Sequence, residues 1–328
     1  MIVAPIVPAR LAVGSHIRVI APACSLSMIG QQARLCADAR LSALGLQLTF
    51  GAHVDEVDDF GSSSVQSRVA DLHAAFTDPH VDGILTVIGG FNSNQLLNHL
   101  DFDLVGANPK VFCGFSDITA LSCAIAARTG LVTYSGPHYS TFGMRDHFYD
   151  TLHWFTQAVF SDEILRCAPS MNWTDDAWYA DQENRNVVPN DGWWTLNDGV
   201  GSGRLIGGNL CTLNLLQGTS FMPSLAGSVV FVEDDHLSSV NEFDRNLQSL
   251  LQLPDWSGVT ALLIGRFQRK SNISRQLVTQ VVASKPELAA IPVVANMDFG
   301  HTMPLMTIPV GGWCEVAADD AKVSVAIR

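Results

Sequence analysis

Residues 111–120 read VFCGFSDITA. The apolar run Val111, Phe112, Cys113 has the look of a short buried strand, and a segment with helical spacing, residues 118–128, begins at once. The chain must therefore turn from strand to helix within Gly114-Phe115-Ser116-Asp117. A serine on so sharp a turn has its hydroxyl pushed out of the sheet and its neighbouring N–H groups turned toward solvent. That is the geometry of a nucleophile elbow, although the pattern here is G-x-S-D rather than G-x-S-x-G. The plainer reading of Ser116 is a helix N-cap, the commoner job of serine at such a junction. A base and an oxyanion hole elsewhere in the chain would decide between them.

The same alternation runs through the first half. Strand-like segments at 17–21 (IRVIA), 46–50, 83–88 (GILTVI), 111–113 and 132–135 are separated by helical ones at 31–44, 65–76, 94–100 and 118–128, and a helix at 148–160 closes the unit. Continuous apolar strands separated by helices argue for a parallel sheet covered on both faces. Ligands of such sheets collect at the carboxyl ends of the strands, where the loops after Ile88 and Phe115 lie. Residues 170–203 then change character: Trp173, Trp178, Trp193 and Trp194 sit among Asp, Asn and Gly. The segment reads as a linker anchored by aromatics or as a lid that stacks on a ligand. The second half is an α+β unit, with GRLIGGNL at 203–210, helices at 212–217, 240–251 and 275–284, strands at 229–232, 261–265 and 293–296, and an extended tail from Thr307. The expected division is 1–165, 166–202 and 203–328.

With 328 residues, 47% of them hydrophobic, the chain can build more than one core. No apolar run reaches the roughly eighteen residues of a membrane span, and the N-terminal MIVAPIVPARLAVG lacks a basic lead and is broken by prolines, so it does not read as a signal peptide. A net charge of −13, with no run of more than two adjacent basic residues, argues against nucleic acid as the main partner. Seven cysteines without a C-x-x-C pair read as reduced thiols of a cytoplasmic protein, with neither a disulfide framework nor a zinc site. Cys113, inside its strand, faces core and reads as packing rather than as a catalytic thiol.

Ile88-Gly89-Gly90-Phe91-Asn92 ends a buried strand with two glycines, which let backbone approach a ligand and leave N–H groups free. A phosphate cradle competes weakly, because neither G-x-G-x-x-G nor a P-loop lysine follows. As an oxyanion hole, the natural donors are the N–H groups of Gly90 and Asp117. For a base, His301 (NMDFGHT) and His138 (SGPHYS) are the candidates; His16, His53, His73, His80, His99, His147, His153 and His236 read as surface residues. Glu233, in VVFVEDDH, either emerges into solvent or orients the base. Spacing alone does not choose, because triads are spatial.

The stretch GGFNSNQLLNHLDFDLVGANPKVFCGFSDITAL (89–121) resembles the signature of the LD-carboxypeptidase and microcin C immunity proteins, a family of serine peptidases. The likeness continues through Gly130-Leu131, Ser135-Gly136-Pro137, GRLIGGNL at 203–210, FVED at 231–234, FDRNL at 243–247 and FGH at 299–301. It implies a Ser–His–Glu triad of Ser116, His301 and Glu233, with an oxyanion hole from the backbone of Gly90 and Asp117. It also implies a flavodoxin-like parallel-sheet N-terminal domain, a smaller β-rich α/β C-terminal domain, a homodimer, and neither metal nor cofactor.

Muropeptide LD-carboxypeptidases of this family typically read R-G-G-Y-G after the strand. Here Ile88-Gly89-Gly90-Phe91-Asn92-Ser93-Asn94 looks more like the microcin C immunity branch, whose members cleave the amide joining an aminoacyl or peptidyl group to a modified nucleotide. By the same resemblance the tryptophan-rich segment lies near the active site, with Trp178, Trp193 and Trp194 as candidates to stack on a base and Asn209 as a substrate contact. Three functions stay open: a microcin-C-immunity-like peptidase, a muropeptide LD-carboxypeptidase releasing terminal D-alanine, and a non-catalytic nucleotide or peptide binder.

Overall fold

The computed structural model describes residues 4–319 and 321–328. Strands β1 (His16–Ile20), β2 (Gln47–Phe50), β3 (Gly83–Thr86), β4 (Val111–Cys113) and β5 (Thr133–Ser135) run parallel in the order β5-β4-β3-β1-β2. Every residue of β3 and β4 is buried, as uninterrupted apolar strands require when both faces are covered. Helices α1 (Gln31–Ala43), α2 (Val65–Thr77), α3 (Phe102–Ala107) and α4 (Thr119–Thr129) connect them, and α5 (Tyr149–Phe160) follows. This is the flavodoxin-like strand order. Its direction reverses between β1 and β3, so the crevice for a ligand opens beyond their carboxyl ends.

The rest of the chain builds a second, mixed sheet and a small ribbon. In chain order the strands are β6 (Leu165–Cys167), β7 (Asn172–Trp173), β8 (Val188–Pro189), β9 (Trp194–Asn197), β10 (Gly199–Asn209), β11 (Ser228–Glu233), β12 (Ala261–Gly265), β13 (Val293–Met297), β14 (Ile308–Val310), β15 (Trp313–Ala318) and β16 (Val323–Ile327). The sheet order is β6-β16-β15-β10-β11-β12-β13-β9, with β10 to β13 parallel and the flanking strands antiparallel. Its α-helices are α6 (Leu210–Asn214), α7 (Val240–Leu251) and α8 (Arg275–Ala283). Helix α7 starts where Ser239 and Glu242 cap each other's backbone amides, the capping box legible in Ser-x-x-Glu.

Three expectations are refined. The helix expected at 94–100 is a 3-10 helix, Ser93–His99. The tryptophan-rich segment is partly sheet, since β9 pairs with β13 and β7 with β8. The tail from Thr307 divides: β14 returns to pair antiparallel with β5 of the first sheet, while β15 and β16 join the second. Helix α4 is buried along residues 119–125 and contacts both β5 and β10, which is why it is apolar nearly all round. It ties the two sheets together beside the elbow. No described helix is long and apolar enough to cross a membrane.

Candidate active site

At the end of β4 the backbone of Ser116 adopts φ +60°, a conformation that costs a non-glycine residue about 1–3 kcal/mol. Phe115, in extended conformation, holds the N-cap position of the one-turn 3-10 helix Ser116–Ile118. Ser116 is thus the first helical residue and does not cap; its hydroxyl is free to point elsewhere. Gly89 makes room for it, because a Cβ there would stand 3.0 Å from Ser116 Cβ and 3.1 Å from Oγ.

The hydroxyl meets His301. Ser116 Oγ lies 3.0 Å from His301 Nε2, and His301 Nδ1 lies 2.6 Å from Glu233 Oε2. Glu233 is the last residue of the fully buried β11, and His301 follows β13 in the same sheet. Gly300 lets the two come together: its φ is +99°, and a Cβ on it would stand 2.6 Å from Glu233 Oε2. A carboxylate so close keeps the imidazole proton on Nδ1, so Nδ1 donates to Glu233 and Nε2 accepts from the serine hydroxyl. Burial by itself would lower the His301 pKa. The charge and hydrogen bond of Glu233, with Asp235 and Asp234 behind them, outweigh it and the net shift is upward.

His138, the other candidate base, does not reach Ser116. It is buried, with Nδ1 2.7 Å from Thr86 Oγ1 and its ring stacked on Phe115 at 4.5 Å. Burial, and secondarily the charge of His301, lowers its pKa to about 3, so it is a neutral wall. Cys113 is likewise fully buried, which pushes its thiol pKa up and leaves no thiolate.

Two backbone amides stand beside the Ser116 hydroxyl's end of the first sheet. The Asp117 amide is one of the orphan donors of a helical first turn, and the Gly90 amide sits in the turn after β3. The Asp117 carboxylate points the other way: Oδ2 accepts from the Asn92 and Ser93 amides at 3.1 and 2.9 Å, and Ser93 Oγ donates to Asp117 O at 2.7 Å.

Ser116, His301 and Gly90 line one cavity of about 630 Å³. Trp178 and Tyr179 form part of its wall, and Cys24, His236 and Lys270 also line it. His236 is therefore a site residue that looked like surface. The acidic run Asp234-Asp235 that precedes it, directly after Glu233, is the signal that could have marked it. Asp175 and Asp176, also on the wall, are anchored by ion pairs to Arg269 and Arg185, and backbone bonds between Thr174 and Met303 tie this segment to the His301 loop.

Three expected contacts lie elsewhere. The Trp193 indole donates to Asp298 Oδ2 at 2.9 Å, on a buried carboxylate that also holds Ser170 and Arg266, so it braces the segment leading to His301 and does not line the cavity. Trp194 donates to Asp191. Asn209 caps α6 through Oδ1 and gives its amide group to Asp234 Oδ1 at 3.4 Å; it supports the carboxylates from behind and is absent from the cavity wall. Among the described residues no group of three His, Cys, Asp or Glu side chains is placed to hold a metal ion.

Residues 17–136 match the LD-carboxypeptidase N-terminal domain, and residues 202–316 match the LD-carboxypeptidase C-terminal domain. The chain is 49% identical over 94% of its length, and 95% of the relative's, to YocD of Bacillus subtilis (strain 168), which bears the provisional name of a carboxypeptidase. It is 30% identical to the microcin C7 self-immunity protein MccF of Escherichia coli, over 98% of this chain and 96% of that one. The crystal structure of an MccF-like protein from Bacillus anthracis str. Ames shares the fold at a TM-score of 0.97 and 47% identity, covering 98% of this chain and 99% of the other. MccF in complex with glutamyl sulfamoyl guanosine matches at a TM-score of 0.88 and 28% identity, over 98% of each chain.

Proposed function

This chain belongs to the LD-carboxypeptidase family, and from that footing we propose that it is a serine peptidase hydrolysing an amide bond through an acyl-enzyme, with an aminoacyl or peptidyl nucleotide of the microcin C type as substrate. The observation that carries this reading is the hydrogen-bonded chain from Ser116 through His301 to Glu233. His301 takes the Ser116 proton as Oγ attacks the carbonyl carbon, and Glu233 holds the imidazole in its tautomer and stabilises the imidazolium. The amides of Gly90 and Asp117 receive the oxyanion, each such donor being worth about 10²- to 10³-fold in kcat. His301 then protonates the leaving nitrogen, and a water repeats the sequence on the acyl ester.

Two things support the substrate. MccF has been crystallised with glutamyl sulfamoyl guanosine and with aspartyl sulfamoyl adenosine, and Trp178 offers a ring on the cavity wall where a base could stack. Release of a terminal D-alanine from a muropeptide is the second reading, favoured by the description of both matched domains. The intact three-residue chain speaks against a purely binding role. The seven free cysteines support a cytoplasmic setting, the family resemblance supports a homodimer, and the division of the chain at residues 165 and 203 belongs to the same reading.

Purified protein is incubated separately with an aminoacyl sulfamoyl adenosine and with an L,D-tetrapeptide, and products are followed by mass spectrometry. Cleavage of the first, absent in Ser116→Ala, is expected. Cleavage of the tetrapeptide alone transfers the assignment to the muropeptide reading.

A further inference from the structure

Behind the turn that carries Gly90 stand three buried polar side chains that the mechanism above leaves unused: Asp117, Ser93 and Arg68. Asp117, 2% exposed, receives the Asn92 and Ser93 amides on one carboxylate oxygen, and Ser93 returns a hydrogen bond from its hydroxyl to the Asp117 carbonyl. Arg68 reaches the same turn from helix α2. Its Nη1 donates to Asn92 O at 3.2 Å, Asn92 Oδ1 at 3.1 Å and Pro22 O at 3.2 Å, and its Nη2 donates to Gln95 Oε1 at 2.7 Å. Asn92 and Ser93, two and three residues beyond Gly90, are thus gripped from two directions, by the elbow on one side and by α2 on the other.

A pair of glycines at a strand end gives backbone freedom, and an oxyanion hole tolerates little of it. Donors must stay within about 0.5 Å of the productive position. The grip on this turn is made of charge-assisted hydrogen bonds, roughly twice as strong as neutral ones. Burial pushes the Asp117 carboxyl upward, while the Ser93 and Asn92 hydrogen bonds and the Arg68 charge draw it back. Burial likewise lowers the Arg68 guanidinium, and the Asp117 charge is the largest opposing influence. Removing Asp117 deprives the buried Arg68 of the strongest of its stabilising charges, and removing Arg68 deprives Asp117 of a favourable one.

We propose that the Asp117 carboxylate and the Arg68 guanidinium are positioning residues for the oxyanion hole, fixing the Gly90 amide relative to Ser116. One residue then serves both donors. The amide of Asp117 is itself a donor, and its side chain locates the other, so the separation between the two is set within a single buried cluster. The inference rests on the reading of Ser116 as nucleophile.

The test uses Asp117→Asn, Asp117→Ala, Ser93→Ala and Arg68→Met in the full-length protein. Each folded variant is expected to lose about 10- to 100-fold in kcat with KM within about twofold of wild type, as displacement of one donor implies. Asparagine, which keeps an acceptor, is expected to be milder than alanine. In a Ser116→Ala background the same changes leave substrate Kd unchanged, because ground-state binding does not use the hole. Combining Arg68→Met with Asp117→Asn costs less than the product of the single effects, since both act on one turn. If Asp117→Ala does not fold, Ser93→Ala and Arg68→Met carry the test. Wild-type kcat in the folded variants, or a loss found wholly in KM, overturns the proposal. Turnover surviving in Ser116→Ala instead removes the nucleophile reading beneath it, so the two failures are told apart.

Discussion

Ser116 Oγ and His301 Nε2 lie 3.0 Å apart although 185 positions separate them in the chain. The serine leaves the first sheet and the histidine leaves the second, so their meeting depends on how the sheets are locked through helix α4. Glu233, on the second sheet, then extends the chain of hydrogen bonds by one member. Ser116→Ala and His301→Ala are therefore expected to fold with near wild-type melting temperatures and to lose nearly all turnover. Glu233→Gln, which keeps the shape but disfavours the tautomer, should lower kcat by about 10³- to 10⁴-fold. Steady-state kinetics beside thermal unfolding checks all three.

In the proposed mechanism His301 acts as a base only when neutral. Its pKa lies above the ordinary 6.5 because Glu233 outweighs burial. The rate constant kcat/KM should therefore fall as pH drops, with an inflection above 6.5, and Glu233→Gln should move that inflection down. Asp234, pushed up to about 7 by burial and then by the Glu233 charge, gains its own charge in the same range and helps hold His301 up, so Asp234→Asn should also lower it. His138 stays neutral throughout. An inflection below 6.5 in the unaltered protein would contradict this assignment of the base.

Trp178 and Trp193 should separate cleanly. Trp178→Ala is expected to raise KM with little change in melting temperature. Trp193→Phe deprives the buried Asp298 of a hydrogen bond and should lower stability by about 1–3 kcal/mol, measured by denaturant unfolding. A reversed pattern would return Trp193 to the substrate.

Gly300→Ala places a methyl 2.6 Å from Glu233 Oε2 on a backbone at φ +99°. The variant should lose about 1–3 kcal/mol of stability and most of its turnover, because the Glu233–His301 hydrogen bond is displaced. A folded, fully active variant would show that this glycine is not needed for that contact.

The strand ends that carry the site are legible because each follows a local rule, while the choice of Glu233 and His301 to join Ser116 comes from the family resemblance. Ser116 sits where an apolar strand turns into a helix, Glu233 closes a buried apolar run, and His301 follows a glycine after another. What escaped reading depends on partners distant in sequence. Trp193 looks like Trp178 until Asp298, 105 residues away, claims its indole. His236 sits among polar neighbours and reaches the cavity only through the loop after β11. Strand β14 crosses back to the first sheet, a pairing that no local pattern announces. Asn209 is different: Asn-x-x-Thr before a short helix already spells a cap, and its expected contact with substrate came from family resemblance.

The most direct test of the account is rapid-quench intact-protein mass spectrometry with a slowly deacylated aminoacyl substrate, followed by peptide mapping. The account predicts a transient adduct of the acyl group's mass on the peptide that contains Ser116, absent in Ser116→Ala. An adduct on another residue, or full turnover in Ser116→Ala with no adduct at any time, would contradict it.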